Sequence, residues 1–567
     1  MRRALRCMLP LGRIYSTNEI VRPNRISCTL PLEDRRPSVA MISARLPALR
    51  HQAIVSLVMG GVALWAAYIV SGWINTEQDR MLIFLGGGIA LITLGYFILR
   101  NWRSGFYLFL GWLIFEDLIR KYLGNNMVIY FAKDVLVALI CISLYLGWRR
   151  RKEKLFRPPF IMFLGIFFWY SFLQVFNVYS PSLLYGILGM KLYFYYIPLM
   201  FVGYALIRTE NDLRRFLNAN LVLASLVAML GIVQAVIGPK FLNPSNLDAN
   251  IRGLSSLERS APLTGEIVSI PTAVFVSAGR YGWYLELATI LSLATAGYFL
   301  LTGKRGRTMA LATIGLIVVA ILLSGSRGAL VFSGISALGI SAGFLWGANL
   351  KTGQIQRLFK GFRRSAIIVG AIVLLAFIVV PKSLSSRWAF YSETLSPNSS
   401  RSEITLRSWD YPIQNLLAAF SEPHWLMGNG VGTASLGVQY VSALLGGSPP
   451  PINVENGFGT LLVEMGILGP FLWILWASAL VVSCWRVVRR LKGTRLLPVG
   501  FAICWLAFLV LFPFTYGGMP AYQNYVLNAY LWLLIGILFK LPSLLNASPI
   551  PANPTRLSLR SQRMLAR

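Results

Sequence analysis

Apolar runs about as long as a bilayer is thick leave this chain few folds to choose from. A helix needs roughly 20 apolar residues to cross the hydrocarbon, and about fourteen windows of that kind follow one another. They are 52–71, 81–99, 105–120, 128–148, 159–179, 186–206, 215–237, 281–301, 308–325, 327–347, 365–381, 457–484, 496–516 and 519–540. Lipid offers no partner to a backbone amide, so such runs must be helices. The short alternating strands of a membrane barrel are absent from the sequence. Composition agrees: 56% of the 567 residues are hydrophobic and the mean hydropathy is +0.61. The expected fold class is therefore all-α, a polytopic membrane protein of about fourteen transmembrane helices.

A net charge of +32 could suggest a nucleic-acid partner, but its placement argues against one. Arg149 to Lys154, Lys304 to Arg307, Lys351 to Arg364 and Arg486 to Arg495 are short basic stretches that fall on one side when the windows are counted off. That is the positive-inside pattern, and it places both termini in the cytoplasm. Arg120-Lys121 breaks it, being basic where the count faces out. Cys141, Cys484 and Cys504 lie in spans and Cys7 and Cys28 in the tail, so no disulfide framework is expected. The two histidines, His51 and His424, form no metal spacing, and no metal or cofactor is expected.

Residues 1–50 read as a basic cytoplasmic tail without ordered structure, and 541–567 as another. Between them lie a bundle over 51–381, with an outer loop at 238–280, a large outer loop at 382–456, and C-terminal spans over 457–540. Inside the large loop Trp409, Ile413, Leu416, Leu417 and Phe420 recur at helical spacing, and Asp410 before Pro412 looks like a helix start. An amphipathic helix here would lie on the membrane or over the bundle mouth.

The candidate chemistry is cationic. Arg327, in Ser324-Gly325-Ser326-Arg327-Gly328, joins two spans with almost no loop. Either it snorkels to headgroups or it clamps a phosphate, and the small flanking residues leave room for the second. Arg280 precedes a span, and Arg401 lies in the large loop; interfacial anchoring and a solvated helix are their plainer readings. Arg252, Arg259, Arg387 and Arg407 are weaker candidates. Glu116, Asp117, Lys133, Asp134, Lys191, Glu286 and Glu464 fall within or at the edge of spans, where charge normally faces protein or water. Lys133 can pair internally with Asp134, or with Glu116 and Asp117. Lys191 has no acidic neighbour in its span, so its partner comes from elsewhere, a phosphate being one candidate. Gly428, Gly430 and Gly432 form a glycine turn that could bring amides to an anion. Glu455, followed by Asn456, closes the large loop; it is a helix-start residue on one reading and a base on the other.

Three stretches also resemble the O-antigen ligase and polymerase superfamily of bacterial inner-membrane glycosyltransferases. They are Leu322 to Leu330, Leu426 to Thr433, and Glu455-Asn456-Gly457 through Gly469, within a likeness covering roughly 180–490. The resemblance implies an inner-membrane enzyme whose active site and large loop are periplasmic. Its donor would be an undecaprenyl-diphosphate-linked glycan and its acceptor a hydroxyl on a glycan, lipid A core or protein, with contacts to other polysaccharide-assembly proteins and no metal. It carries the diphosphate-holding role onto Arg327, and less directly onto Arg280 and Arg401. Ligases of the family place a histidine beside the asparagine of the closing segment, where this chain has Glu455. That favours a polysaccharide polymerase, with ligase as the close alternative. Arginines then stabilise the departing diphosphate, with Lys191 beside them, and Glu455 serves as base for an inverting attack. A transporter of the same lipid-linked glycan is the alternative from another class. It would place its ionisable groups near the midplane in paired halves.

Overall fold

The computed structural model describes residues 93–123, 127–152, 156–244, 257–261, 263–303, 306–347, 381–395, 405–450, 452 and 454–546, with isolated positions between 363 and 378. Contacts divide the chain into Met1–Ile92 and Thr93–Arg567, and the described residues belong to the second unit. The windows 52–71, 81–99 and 365–381, Arg252, Arg401 and most of both tails thus lie wholly or largely outside the described residues.

Among the described residues nine helices are long and apolar enough to cross a membrane. Helix α1, Trp102–Tyr122, is not one of them, because Arg103, Glu116, Asp117, Arg120 and Lys121 interrupt its apolar run. Helix α2 is Met127–Arg151. Helix α3, Ile161–Gln174, has 14 residues, too few to span. Helices α4, Leu183–Phe194, and α5, Leu199–Leu206, are joined by a tight turn into one span. Then come α6, Glu210–Ile237; the hairpin β1, Glu258–Ser260, with β2, Ile267–Ser269; α7, Ala278–Thr302; α8, Arg307–Ser324; and α9, Arg327–Gly347. Outside the lipid-length helices lie α10, Pro381–Leu395; α11, Tyr411–Phe420, preceded by a π-helical turn; and α12, Val438–Leu444.

The expected span at 457–484 is in fact two helices, α13, Gly457–Met465, and α14, Leu468–Arg490. They break at Gly466, whose φ of 66° suits glycine and where an added Cβ would lie 2.2 Å from the Leu426 carbonyl oxygen. Helix α15, Leu497–Leu509, continues through a π-helical turn containing Pro513 to Gly517. The last span, α16, Tyr525–Asn546, starts six residues after the expected 519. Of the eleven windows that fall among the described residues, nine match these helices and two, 105–120 and 159–179, do not, since apolar content alone does not register the charges of α1 or the shortness of α3.

The basic helix ends meet on one face of the bundle. Arg495 pairs with Glu210 at 2.7 Å, and the Gly493 amide donates to Gly347 at 2.8 Å. The hairpin, α10 and the starts of α7, α9 and α16 lie at the other ends of these helices. In the core, Trp473, Trp476 and Tyr193 are fully buried and pack edge-on or stacked with Phe167 and Tyr522, and the buried Trp532 stacks on Trp476. Without water to drive association, close backbone approach holds spans together. Helices α5 and α16 show it: a Cβ on Gly203 would lie 2.0 Å from the Leu533 oxygen, and one on Gly536 1.9 Å from the Met200 oxygen.

Candidate functional site

The last turns of α1 present Glu116, Asp117, Arg120 and Lys121, and the three- and four-residue spacings put Arg120 back onto both acids. Arg120 Nη1 lies 3.2 Å from Asp117 and 3.8 Å from Glu116. Helix α2 crosses beside them and brings Lys133, whose Nζ is 3.1 Å from Glu116, so of the pairings open to Lys133 the one with Glu116 forms. One residue on, Asp134 takes Lys191 of α4 at 2.6 Å and the Tyr196 hydroxyl at 2.9 Å. The partner Lys191 lacks in its own span is thus a carboxylate from a neighbouring one.

Arg280 closes the group. Ser277 caps α7 by accepting the Arg280 amide, which sets that side chain at the mouth of the helix. Its Nη1 then lies 3.0 and 2.8 Å from the two oxygens of Asp117. The Val276 amide donates to the same carboxylate at 3.3 Å. Lys121, whose position broke the charge pattern, turns inward and donates to Thr272 Oγ1 at 2.9 Å and the Ala273 carbonyl at 3.0 Å.

Two tyrosines floor the cluster. Lys133 Nζ sits 3.4 Å from the Tyr130 ring centroid and 4.6 Å from that of Tyr525. Arg120 and Lys191 also lie over Tyr130, at 5.0 and 4.5 Å, and Arg280 over Tyr525 at 5.2 Å. Four spans and α1 therefore converge on one group of five cations and three carboxylates. Only its edge is open: the Lys191 and Arg280 side chains keep 18% and 22% exposure, while Glu116, Asp117 and Lys133 keep none. Tyr130 and Tyr525 were missed in the sequence, where each is one aromatic among many at a span start.

Arg327 stands apart from this ion-pair network, at the start of α9, with its guanidinium 5.3 Å from the Phe390 ring of α10. The two places are adjacent in the bundle, since a Cβ on Gly282, two residues past Arg280, would lie 3.1 Å from Ser326 Oγ. Beside Arg327, Arg387 is buried and structural: its Nε donates to the Leu323 carbonyl at 2.6 Å and its Nη2 to Ser269 at 2.8 Å, tying α8, the hairpin and α10 together. Burial there pushes the Tyr391 phenol up to about 12. Glu393 accepts the Leu263 amide at 2.7 Å and the Thr264 amide at 3.3 Å, which hold its carboxyl below the ordinary range. Arg259 is an exposed residue of β1.

Glu455 is exposed, and its amide donates to Asn415 Oδ1 at 3.1 Å. Asn456 caps α13, accepting the Gly459 amide at 3.0 Å and donating to the Tyr516 carbonyl at 2.9 Å. A Cβ on Gly518 would lie 3.0 Å from the Glu455 oxygen, so Glu455 borders the connection that runs from α15 to Tyr525. The glycine turn is packed against the protein. Gly428, Gly430 and Gly432 have φ of 81°, 96° and 90°, and the Asn429 and Gly430 amides donate to the Val463 and Glu464 carbonyls at 2.7 and 3.0 Å. The buried Glu464 carboxylate accepts Ser435 at 2.6 Å, Tyr193 at 2.9 Å and the Ala434 amide at 3.0 Å, which fastens the turn to the bundle. His424 stacks on Tyr179 at 3.7 Å. Among these expected site residues the structure unites Arg280 and Lys191. Compared with models of protein families, with curated proteins and with solved structures, the chain matches none.

Proposed function

We propose that the protein is a membrane-embedded glycosyltransferase that moves a glycan from a polyprenyl-diphosphate donor onto a hydroxyl acceptor, polymerising surface polysaccharide. The observation that supports this most is the grouping of Arg280 and Lys191, from separate spans, into one partly open cluster in which cations outnumber carboxylates five to three. A diphosphate is the kind of ligand such a surplus suits: guanidinium forks and an ammonium meet its oxygens, and ring faces cover the cations from behind. The cluster lies at the bundle end opposite the basic loops, which under the positive-inside rule is the outer side.

In this reading the acceptor hydroxyl oxygen attacks the anomeric carbon, and the bond from that carbon to the diphosphate oxygen breaks. The electron pair leaves with the diphosphate, whose charge Arg280 and Lys191 stabilise. The hydroxyl proton passes to Glu455, and the configuration inverts. Arg327 serves the same ligand from the adjacent turn.

The full chain in lipid nanodiscs, given a polyprenyl-diphosphate oligosaccharide, should lengthen the glycan and release polyprenyl diphosphate. Lys191→Gln should weaken donor binding about ten- to a hundredfold, the worth of one or two hydrogen bonds to a charged group. Movement of the donor across the bilayer with its glycosidic bond intact would replace the reading with transport. Transfer to a lipid A core would make the enzyme a ligase.

A further inference from the structure

The segment between α10 and α13 carries an apolar surface that no described residue covers. Ile413, Leu417 and Phe420 fall three or four residues apart in α11 and so line one side of it, and Leu406 and Trp409 belong to the π-helical turn before it. All but the half-buried Ile413 are exposed, Trp409 at 65%. The other side is in use. Ala419 is buried with Leu462 and Val463 of α13, and Asn415 accepts the Glu455 amide.

This stripe continues into a loop tip. The Phe420 and Trp425 rings lie 5.6 Å apart, and Trp425, Leu426 and Met427 are exposed, Met427 at 63%. The surface then runs without a break onto lipid-length and apolar helices. The Leu426 carbonyl accepts the Ile467 amide at 3.2 Å, and beside it Leu468 and Phe471 of α14 are exposed. On the other flank Trp169 and Leu173 of α3, and Phe176 after it, are exposed as well. Helix α3 is about 21 Å long, against a hydrocarbon layer of about 30 Å. A helix of that length stops short of a full crossing, and its last residue, Gln174, is in contact with the 425–427 tip.

A second observation, independent of exposure, concerns the backbone of that tip. A loop in water leaves its carbonyls to water, whereas one in lipid must satisfy them internally. Here side-chain amides do so. Gln174 Nε2 donates to the Met427 carbonyl at 3.0 Å, and Asn177 Nδ2 to the Gly428 carbonyl at 3.0 Å and the Met427 carbonyl at 3.4 Å. The Met427 and Gly428 amides both donate to the His424 carbonyl. The tip shows apolar side chains outward while its Leu426, Met427 and Gly428 carbonyls meet protein donors, as lipid for solvent would require.

We infer that the stripe from Leu406 to Phe420 and the tip Trp425-Leu426-Met427 are inserted into the membrane leaflet at this end of the bundle. The partner is the bilayer itself. Trp409 and Trp425 lie at headgroup level, where indole is favoured, and Leu417, Leu426 and Met427 lie among acyl chains. The insertion holds α11 and, through Asn415, the Glu455 backbone at a fixed height on the membrane surface. It does not depend on which reaction the bundle carries out.

Depth measurement by nitroxide labelling decides it. The full chain carrying Cys7→Ser, Cys28→Ser and Cys141→Ala would be labelled at Trp409→Cys, Leu417→Cys or Met427→Cys and placed in nanodiscs, with Gln414→Cys and Ser448→Cys as references facing water. Leu417→Cys and Met427→Cys should collide several-fold more with oxygen, and several-fold less with a water-soluble nickel chelate, than the two references, and Trp409→Cys, at headgroup level, should fall between. Chelate collision equal to that at Ser448 would overturn the inference. Low collision with both reagents would overturn it too, since protein rather than lipid would then cover the stripe. Leu417 and Met427 are exposed side chains, so those two labels decide the question even where Trp409→Cys misfolds.

Discussion

Removing the Arg280 guanidinium strikes the candidate site at its most constrained point. The Asp117 carboxylate is fully buried, and its two closest contacts, 2.8 and 3.0 Å, both come from Arg280 Nη1. Arg120 at 3.2 Å and the Val276 amide at 3.3 Å stand behind them. Taking one partner from a buried pair costs about 3–5 kcal/mol, because the other charge stays in a dry site. Two donors remain to Asp117, so Arg280→Gln should cost about 3 kcal/mol, the low end of that range. In a chain of this size each kcal/mol moves the midpoint by about 1 °C, which gives a fall of about 3 °C at a fixed heating rate. Asp117→Asn should also destabilise. The double variant should be more stable than the sum of the two losses allows, since it leaves no unpaired carboxylate. A coupling below about 0.5 kcal/mol, the scatter expected of independent sites, would refute the argument. The same set separates structure from function. Recovered stability without recovered donor binding assigns Arg280 to the ligand, whereas recovery of both makes it a packing residue only.

Two further outcomes follow from the local geometry. Because the Leu263 and Thr264 amides depress the Glu393 carboxyl, that contact adds stability above the ordinary carboxylate value and loses it as pH falls through the lower folded value. Protection of those two amides against deuterium exchange, relative to the intrinsic rate at each pH, should therefore fall below about pH 4, and Glu393→Gln should lower it at neutral pH and remove that further fall. Gly536→Ala, which sets a Cβ 1.9 Å from the Met200 oxygen, should cost about 3 kcal/mol by thermal unfolding. Gly279→Ala, with nothing within 4 Å, should change stability by less than about 1 kcal/mol.

Much of the helical layout was legible because lipid imposes it locally. A run such as 215–237 must pair its own backbone, so length and hydropathy suffice to place α6. The limits of that reasoning are equally local. In α1 the same apolar run carries charges whose acceptability depends on Lys133 and Arg280, residues that arrive from other helices. At Gly466 the break depends on the Leu426 carbonyl lying where the Cβ of any other residue would fall. The site divides in the same way. Arg280 and Lys191 could be singled out because charge is costly in a span, but nothing in their neighbourhood along the chain points to Asp117, Asp134, Tyr130 or Tyr525.

The sequence by itself determined that this chain is helical, with many helices long and apolar enough to cross a membrane, and that a handful of charges within those apolar runs need partners. Only the tertiary structure decided who the partners are. It made Arg120, Lys121, Lys133, Lys191 and Arg280 one cluster, left Arg327 beside Phe390, and turned the glycine turn into a packed joint held by Glu464. The reason is one of range. Hydrophobic length and backbone hydrogen bonding are satisfied within a single helix, whereas an ion pair between Lys191 and Asp134 exists only once two spans far apart in the chain have packed at the right height.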